Sequence, residues 1–342
     1  MKSIKITGII SLLAFMAAAV IYITNPGGYV NIGSKVIWAV DKGYYSDLGI
    51  YFIENDYVVS PSPETTTDYE FEQMCQFKKK LDDAGINLLY VNKPTKYLDD
   101  SIFDRFGVES YCNRNADKLL ARLDEAGINT LDLRADIKKD GLDIYKMFYR
   151  TDHHWTVPAG KWGAGKIAAA LNEYCGYDID LSIYDDENYD FKTTENAWYG
   201  EQGEKFVGAG AEMDDYTLVT PKFETSYTVD GQQGDFISSF IKDTRQAFHY
   251  NYSSRNCINN NVKKGKVLIL GDSFDVITEP FLSLSVHETN IIVRRDFDDI
   301  DVYDDVVKDG GYDTVIICYA PFMIGAHDSE TNVNRKMFSL VK

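Results

Sequence analysis

The sequence predicts an α/β fold built on a parallel sheet, and three observations lead there. A short motif occurs twice, as Leu81-Asp82-Asp83-Ala84-Gly85-Ile86-Asn87 and as Leu123-Asp124-Glu125-Ala126-Gly127-Ile128-Asn129. In each copy a helix ends at a glycine, which suits a left-handed cap, and an apolar run follows, 86–91 and then 128–133. Three more apolar runs, 266–270, 290–294 and 313–318, lie near the C-terminus. Runs without polar alternation are what strands buried on both faces leave in a sequence. Two irregularly spaced copies are too few for a solenoid.

Taken in order, the chain opens with Lys2 and Lys5 ahead of an apolar stretch, 6–23, about as long as a bilayer-spanning helix needs to be. Positive residues before it and none close after it place residues 1–5 in the cytoplasm and the rest outside. The expectation is a single-pass anchor at 6–24. Ala17-Ala18-Ala19 offers the alternative, a cleaved signal peptide with the remainder secreted. Asn25-Pro26-Gly27-Gly28 breaks that helix and opens a linker, 25–47, before the main domain at 48–342. Residues 49–60 read as a hairpin turning at Asn55-Asp56. Pro61-Ser62-Pro63 leads into a helix at 66–84, with Asp68 and Glu70 in its first turn. Between the two sets of buried strands, 185–260 changes character: rich in Tyr, Asp and Gly, with β-like runs at 216–220 and 223–229 and a helix at about 235–249. It reads as an insertion or small β-rich subdomain. No proline-rich linker isolates it, so one composite domain is expected.

Composition narrows the function. The 342 residues are 44% apolar and 26% charged, which excludes global disorder. A net charge of -18, from 53 acidic and 35 basic residues, excludes nucleic acid as a partner, since no basic stripe offsets phosphate repulsion. The five cysteines contain no CxxC pair, the usual signal for structural zinc. No cofactor-binding fingerprint is present, and neither cofactor nor metal is expected.

Two segments carry chemistry. Gly271-Asp272-Ser273-Phe274 directly follows the strand at 266–270. A serine there sits on a tight turn into a helix, with its hydroxyl exposed and a helix N-terminus at hand for an oxyanion. The plain alternative is a loop that only caps the helix. The second segment, Thr151-Asp152-His153-His154-Trp155-Thr156, places two of the chain's five histidines beside a carboxylate. A serine nucleophile needs a base to take its proton, and the base needs a carboxylate to fix its tautomer. A surface loop or a metal pair are the rivals; no further His or Cys cluster supplies the remaining ligands. His249, His287 and His327 are isolated and read as ordinary histidines.

Together the two segments resemble the bacterial DHHW proteins and the alginate O-acetylation proteins of the SGNH-hydrolase-like superfamily. By motif, the resemblance makes Asp152 the orienting carboxylate, His154 the base and Ser273 the nucleophile. Trp155 would pack behind the base, with His153 and Asp272 in support. Ordinary SGNH hydrolases carry the serine strand first and the histidine last. Here the order is reversed, as a circular permutation would give. The resemblance therefore implies a permuted flavodoxin-like sheet, in the spatial order of strands starting at Ile291, Val267, Val315, Ile86 and Ile128. Two departures stand out. The spacing is Asp152-x-His154, matching only the alginate branch, and the Gly-x-Asn-Asp block after the third strand is replaced by Cys318-Tyr319-Ala320-Pro321. The Ser273 amide and Tyr319 are the candidate oxyanion donors in its place; Arg294 and Arg295 either face the site or are solvated.

The expected function is an extracytoplasmic serine O-acyltransferase that acetylates a cell-surface or exopolysaccharide through acyl-Ser273. The resemblance implies a membrane-bound O-acyltransferase as the acyl relay, beside which a membrane tether raises effective concentration. The alternatives are a carbohydrate acetylesterase with the same three residues, and a non-catalytic polysaccharide-binding or assembly protein, for which 24 Tyr and 4 Trp would suit sugar stacking.

Overall fold

The computed structural model describes residues 44–45, 49–53, 57–204, 212–241, 254–296 and 300–342. The anchor at 6–24, nearly all of the linker, the Asn55-Asp56 turn and His249 lie outside the described residues. Among the described residues no helix is long and apolar enough to cross a membrane.

In chain order the elements are β1 (Tyr44–Tyr45), β2 (Ile50–Phe52), β3 (Val58–Val59), α1 (Asp68–Asp83), β4 (Asn87–Asn92), α2 (Cys112–Glu125), β5 (Asn129–Asp132), α3 (Leu133–Asp140), α4 (Ile144–Met147) and α5 (Val157–Cys175). They continue as β6 (Tyr189–Trp198), α6 (Glu201–Glu204), β7 (Asp214–Pro221), β8 (Tyr227–Val229), β9 (Gln232–Gly234), α7 (Phe236–Phe240), β10 (Arg255–Asn259), β11 (Lys266–Gly271), α8 (Asp275–Leu282), β12 (Glu288–Val293) and β13 (Thr314–Tyr319). Short 3₁₀ turns and one π turn, Tyr303–Val307, join some of them.

The chain divides into two compact units. The smaller comprises Met1–Ser60, Arg150–His153 and Tyr199–Asp214; the larger holds Pro61–Tyr149, His154–Trp198 and Asp215–Lys342. In the smaller unit β1, β2 and β3 form an antiparallel sheet, so the arms of the expected hairpin pair as Tyr51 with Val59 and Phe52 with Val58.

The larger unit is an α/β fold on an eight-stranded sheet in the order β5-β4-β13-β11-β12-β10-β8-β9. The first five strands are parallel and stand in the order the sequence predicts. The twice-occurring motif explains how two of them are launched. At the end of α1, Gly85 N–H donates to Asp82 O and Ile86 N–H to Leu81 O; at the end of α2, Gly127 and Ile128 bond Asp124 and Leu123 in the same way. Both glycines have positive φ, 71° and 69°, the left-handed geometry this double bond demands. Each motif thus ends its helix and turns the chain directly into a strand; β4 is buried almost throughout, whereas β5, at the sheet's edge, is only half-buried, not the buried strand expected.

Side chains of alternate parity separate to the two sheet faces. Leu88, Tyr90, Leu268, Leu270, Val315, Ile317 and Tyr319 join Met74, Phe77 and Leu81 of α1 and Leu119 and Leu123 of α2 in one buried cluster. Each such side chain contributes about 1.5–3 kcal/mol on removal from water.

Three short strands of the 185–260 stretch extend this sheet. β10 pairs antiparallel with β12, β8 with β10 and β9 with β8, while β6 and β7 form a separate two-stranded sheet. Of the helix expected at 235–249, Phe236–Phe240 forms α7 and Ile241 turns extended at φ -104°, ψ 109°; residues 242–249 lie outside the described residues. The rings of Phe236 and Phe240 pack against Phe281 and Tyr227.

Candidate active site

Three parallel strands end side by side and deliver the site residues. β11 ends at Gly271 and hands the chain to Asp272 and Ser273; β13 ends at Tyr319, next to Ala320; β4 ends at Asn92, next to Lys93. Ligand sites in open parallel sheets form at this edge. Ser273 is half-buried while Asp272 and Phe274 on either side are buried, so the turn offers the hydroxyl and hides its neighbours.

His154 arrives from a loop closed at its base. Thr156 N–H donates to Met147 O at 2.8 Å and Tyr149 N–H to His154 O at 3.3 Å, so the two limbs of the loop lie against each other. Thr156 then caps α5, accepting from Ala159 N–H. Trp155 is fully buried, and its indole N–H donates to Phe274 O at 3.1 Å. That bond joins the histidine segment to the nucleophile turn. Within it, Ser273 Oγ lies 2.6 Å from His154 Nε2. The imidazole packs on Phe274, ring centroids 5.0 Å apart.

Asp152 and His153 belong to the smaller unit. There Asp214 accepts the Arg150 and Thr151 N–H groups at 2.7 and 2.9 Å, and Gly200 N–H donates to Thr151 Oγ1 at 2.8 Å. Asp152 is buried; its Oδ2 accepts the Glu201 N–H at 3.0 Å, at the start of α6. His153 Nδ1 lies 3.7 Å from Asp152 Oδ1, beyond hydrogen-bond range.

Beneath Ser273 lies a cluster the sequence reading missed. Lys93 is completely buried, and its Nζ donates to Asp272 Oδ1 and Asp275 Oδ2, both at 2.6 Å. Burial alone would lower the Lys93 ammonium, but the two carboxylates outweigh it and hold it above the ordinary lysine value. Burial pushes the Asp275 carboxyl up to about 6, against the pull of Lys93. Burial likewise raises the neighbouring Cys318 thiol far from its reactive range. The signal available in the sequence was a lysine immediately after a buried strand, at the edge where sites form.

Two expectations are corrected. The Tyr319 hydroxyl is no oxyanion donor: its parity turns the ring into the core cluster, and the hydroxyl donates to Met337 O at 2.8 Å. Arg294 is not solvated: it is buried, and its Nε donates to Ser339 O at 3.0 Å. The replacement for the Gly-x-Asn-Asp block has its own use, since Ala320 N–H donates to Asp272 Oδ2 at 2.8 Å. The five cysteines are unpaired. His287 bonds backbone carbonyls and His327 bonds buried Glu70, as ordinary histidines do.

A cavity of about 550 Å³ runs along α5, with the rings of Trp162, Tyr184 and Phe191 in its walls beside Lys146, Lys161 and Lys166. Met147, Pro158 and Ala159, which flank the His154 segment, also line it.

Comparison with known proteins shows the family. The family described as ALGX, the SGNH hydrolase-like domain of the acetyltransferase AlgX, matches residues 51–230. The chain belongs to that family. The match takes in Asp152 and His154 and stops before Ser273. Among solved structures, a DHHW family protein from Eubacterium siraeum superposes with a TM-score of 0.66 at 16% identity, covering 89% of this chain and 99% of that one. PatB1 of Bacillus cereus gives 0.65 at 18% identity, covering 84% and 98%, and PatB1 with a sulfonyl adduct gives 0.65 at 19%, covering 86% and 98%. These likenesses show a shared fold. No curated protein matches.

Proposed function

We propose that this chain is an extracytoplasmic serine O-acetyltransferase that modifies a polysaccharide through an acyl-Ser273 intermediate. The observation that carries the reading is the 2.6 Å approach of Ser273 Oγ to His154 Nε2. In the first half-reaction Ser273 Oγ attacks the acyl carbonyl of the donor while His154 takes its proton. The oxyanion forms at the N-terminal end of α8, where the Ser273 N–H and the helix dipole favour negative charge. Collapse expels the donor's leaving group, which takes the proton from His154, and leaves the acetyl ester on Ser273. A sugar hydroxyl then attacks that ester with His154 again as base, and Ser273 regains its proton. Asp152 is assigned by the Asp-x-His motif to hold the imidazole in the tautomer that keeps Nε2 free to accept.

Family membership supports acetyl as the transferred group. The aromatic walls of the α5 cavity suit the C–H faces of sugar rings, while Lys161 and Lys166 there are paired with Asp186 and Asp140. The apolar stretch at 6–23 supports a tether beside a membrane-bound O-acyltransferase that relays the acyl group outward. The test is a two-stage reaction. An activated acetyl ester should add one acetyl group to Ser273, and an oligosaccharide should then remove it as acetylated sugar. Rapid acetate release that no oligosaccharide alters would make the chain an esterase. A folded protein that forms no adduct would be a binding protein.

A further inference from the structure

A positive charge locked under a nucleophile's turn needs a reason. Replacing a buried ion pair by apolar residues of similar volume is often neutral or stabilising, so Lys93 is poorly explained by stability alone. Its contacts point elsewhere. The two carboxylates it grips, Asp272 and Asp275, stand on either side of Ser273 in the chain, and each also accepts a backbone N–H of the same turn. Asp272 Oδ1 accepts the Phe274 N–H at 2.9 Å, and Asp275 Oδ2 accepts the Asp272 N–H at 3.0 Å. The fit is tight, since a Cβ at Gly271 would stand 2.6 Å from Asp275 Oδ2. Asp272 Oδ2, through Ala320 N–H, ties the turn to the end of β13. Lys93 itself extends from the end of β4, so three strand ends converge on the backbone that carries Ser273. Its ammonium also lies 5.4 Å from the centroid of the Phe274 ring, on which His154 packs.

We propose that Lys93 is a positioning residue for the Ser273–His154 pair, setting the nucleophile's turn through Asp272 and Asp275 and the imidazole through Phe274. It touches no reacting atom. It fixes where Oγ stands relative to Nε2, and misplacement by about an ångström costs on the order of 10²-fold in rate. The inference rests on the proposed acyl-transfer reading only for its kinetic consequence; the geometric claim stands apart from it.

The experiment uses two variants. Lys93→Met strands two carboxylates in the interior and is the variant at risk of misfolding. Lys93→Met combined with Asp275→Asn removes one charge of each sign and keeps Asp272 on its backbone donors. Leu119→Ala, in the core under α2, serves as a destabilised control remote from the turn. In the folded double variant, the acylation rate constant with an activated acetyl ester should fall about 10²-fold, with KM for the ester within about twofold. Its crystal structure should show Ser273 Oγ and His154 Nε2 beyond hydrogen-bond distance. Leu119→Ala should keep its rate. A double variant that retains the short Ser273–His154 contact overturns the proposal, whether or not the wild type reacts. So does a rate loss no greater than that of Leu119→Ala. A wild type that never acylates while the variant's contact lengthens would overturn the acyl-transfer reading and leave the positioning role standing.

Discussion

Ser273 and His154 are half-buried groups on a buried frame, and the account assigns them separable effects. His154→Ala should lower acylation by an activated ester by about 10²–10⁴-fold, the usual worth of a positioned base. His153→Ala should retain most of the rate, because its neighbour is the residue that reaches Ser273. Near-equal losses, measured by ester turnover, would mean that the motif is read in the wrong register. Trp155 tests the frame. It is fully buried and bonded to Phe274 O, so Trp155→Ala should cost about 3–5 kcal/mol in urea unfolding. At this scale the sequence pointed to Ser273 and His154, which the fold brings to 2.6 Å, because each stands in a short motif with a chemical reason for its spacing. It hid Lys93, because a lone lysine reads as solvated; its partners lie 179 and 182 residues away, and only folding joins them.

Among the elements, the parallel strands were legible; of the antiparallel extension only β8 was, inside the expected run at 223–229, while β9 and β10 were not. β4, β11 and β13 bury almost every residue and leave continuous apolar runs, and the capped repeat marks where two strands begin. β8 and β9 have three residues each. β10 brings a buried Arg255, paired with Glu279 of α8, into the sheet. Short strands and a paired charge erase the apolar signal on which sequence reading depends. The turn between β11 and α8 yields a prediction of its own. The Asp275 carboxyl, raised to about 6 from 3.8, keeps a proton in the fold that the unfolded chain releases. Its contribution therefore favours the fold at low pH and is lost as pH rises through 6. Lys93, Asp272 and Cys318 face it, and the thiol and ammonium stay protonated across that window. Asp275→Asn lacks this loss, so its stability relative to the wild type should rise between pH 4 and pH 7. Urea midpoints at the two values check the sign, and a relative fall would contradict it.

For the whole molecule, the proposed acyl transfer takes place at one sheet edge, with the acceptor held in the cavity along α5. Trp162→Ala in that cavity should raise the KM for an oligosaccharide acceptor several-fold, while the rate of acylation by a small ester stays within about twofold. Equal effects on both half-reactions would remove the cavity from the acceptor's path. The central claim is that Ser273 carries the acetyl group between donor and sugar. Intact-protein mass spectrometry during a pulse of activated acetyl ester, followed by a chase with oligosaccharide, measures that directly. One acetyl adduct should form on Ser273, be absent in Ser273→Ala, decay faster when the sugar is added and reappear as acetylated sugar. An adduct on another residue, or none on the folded protein, would contradict it.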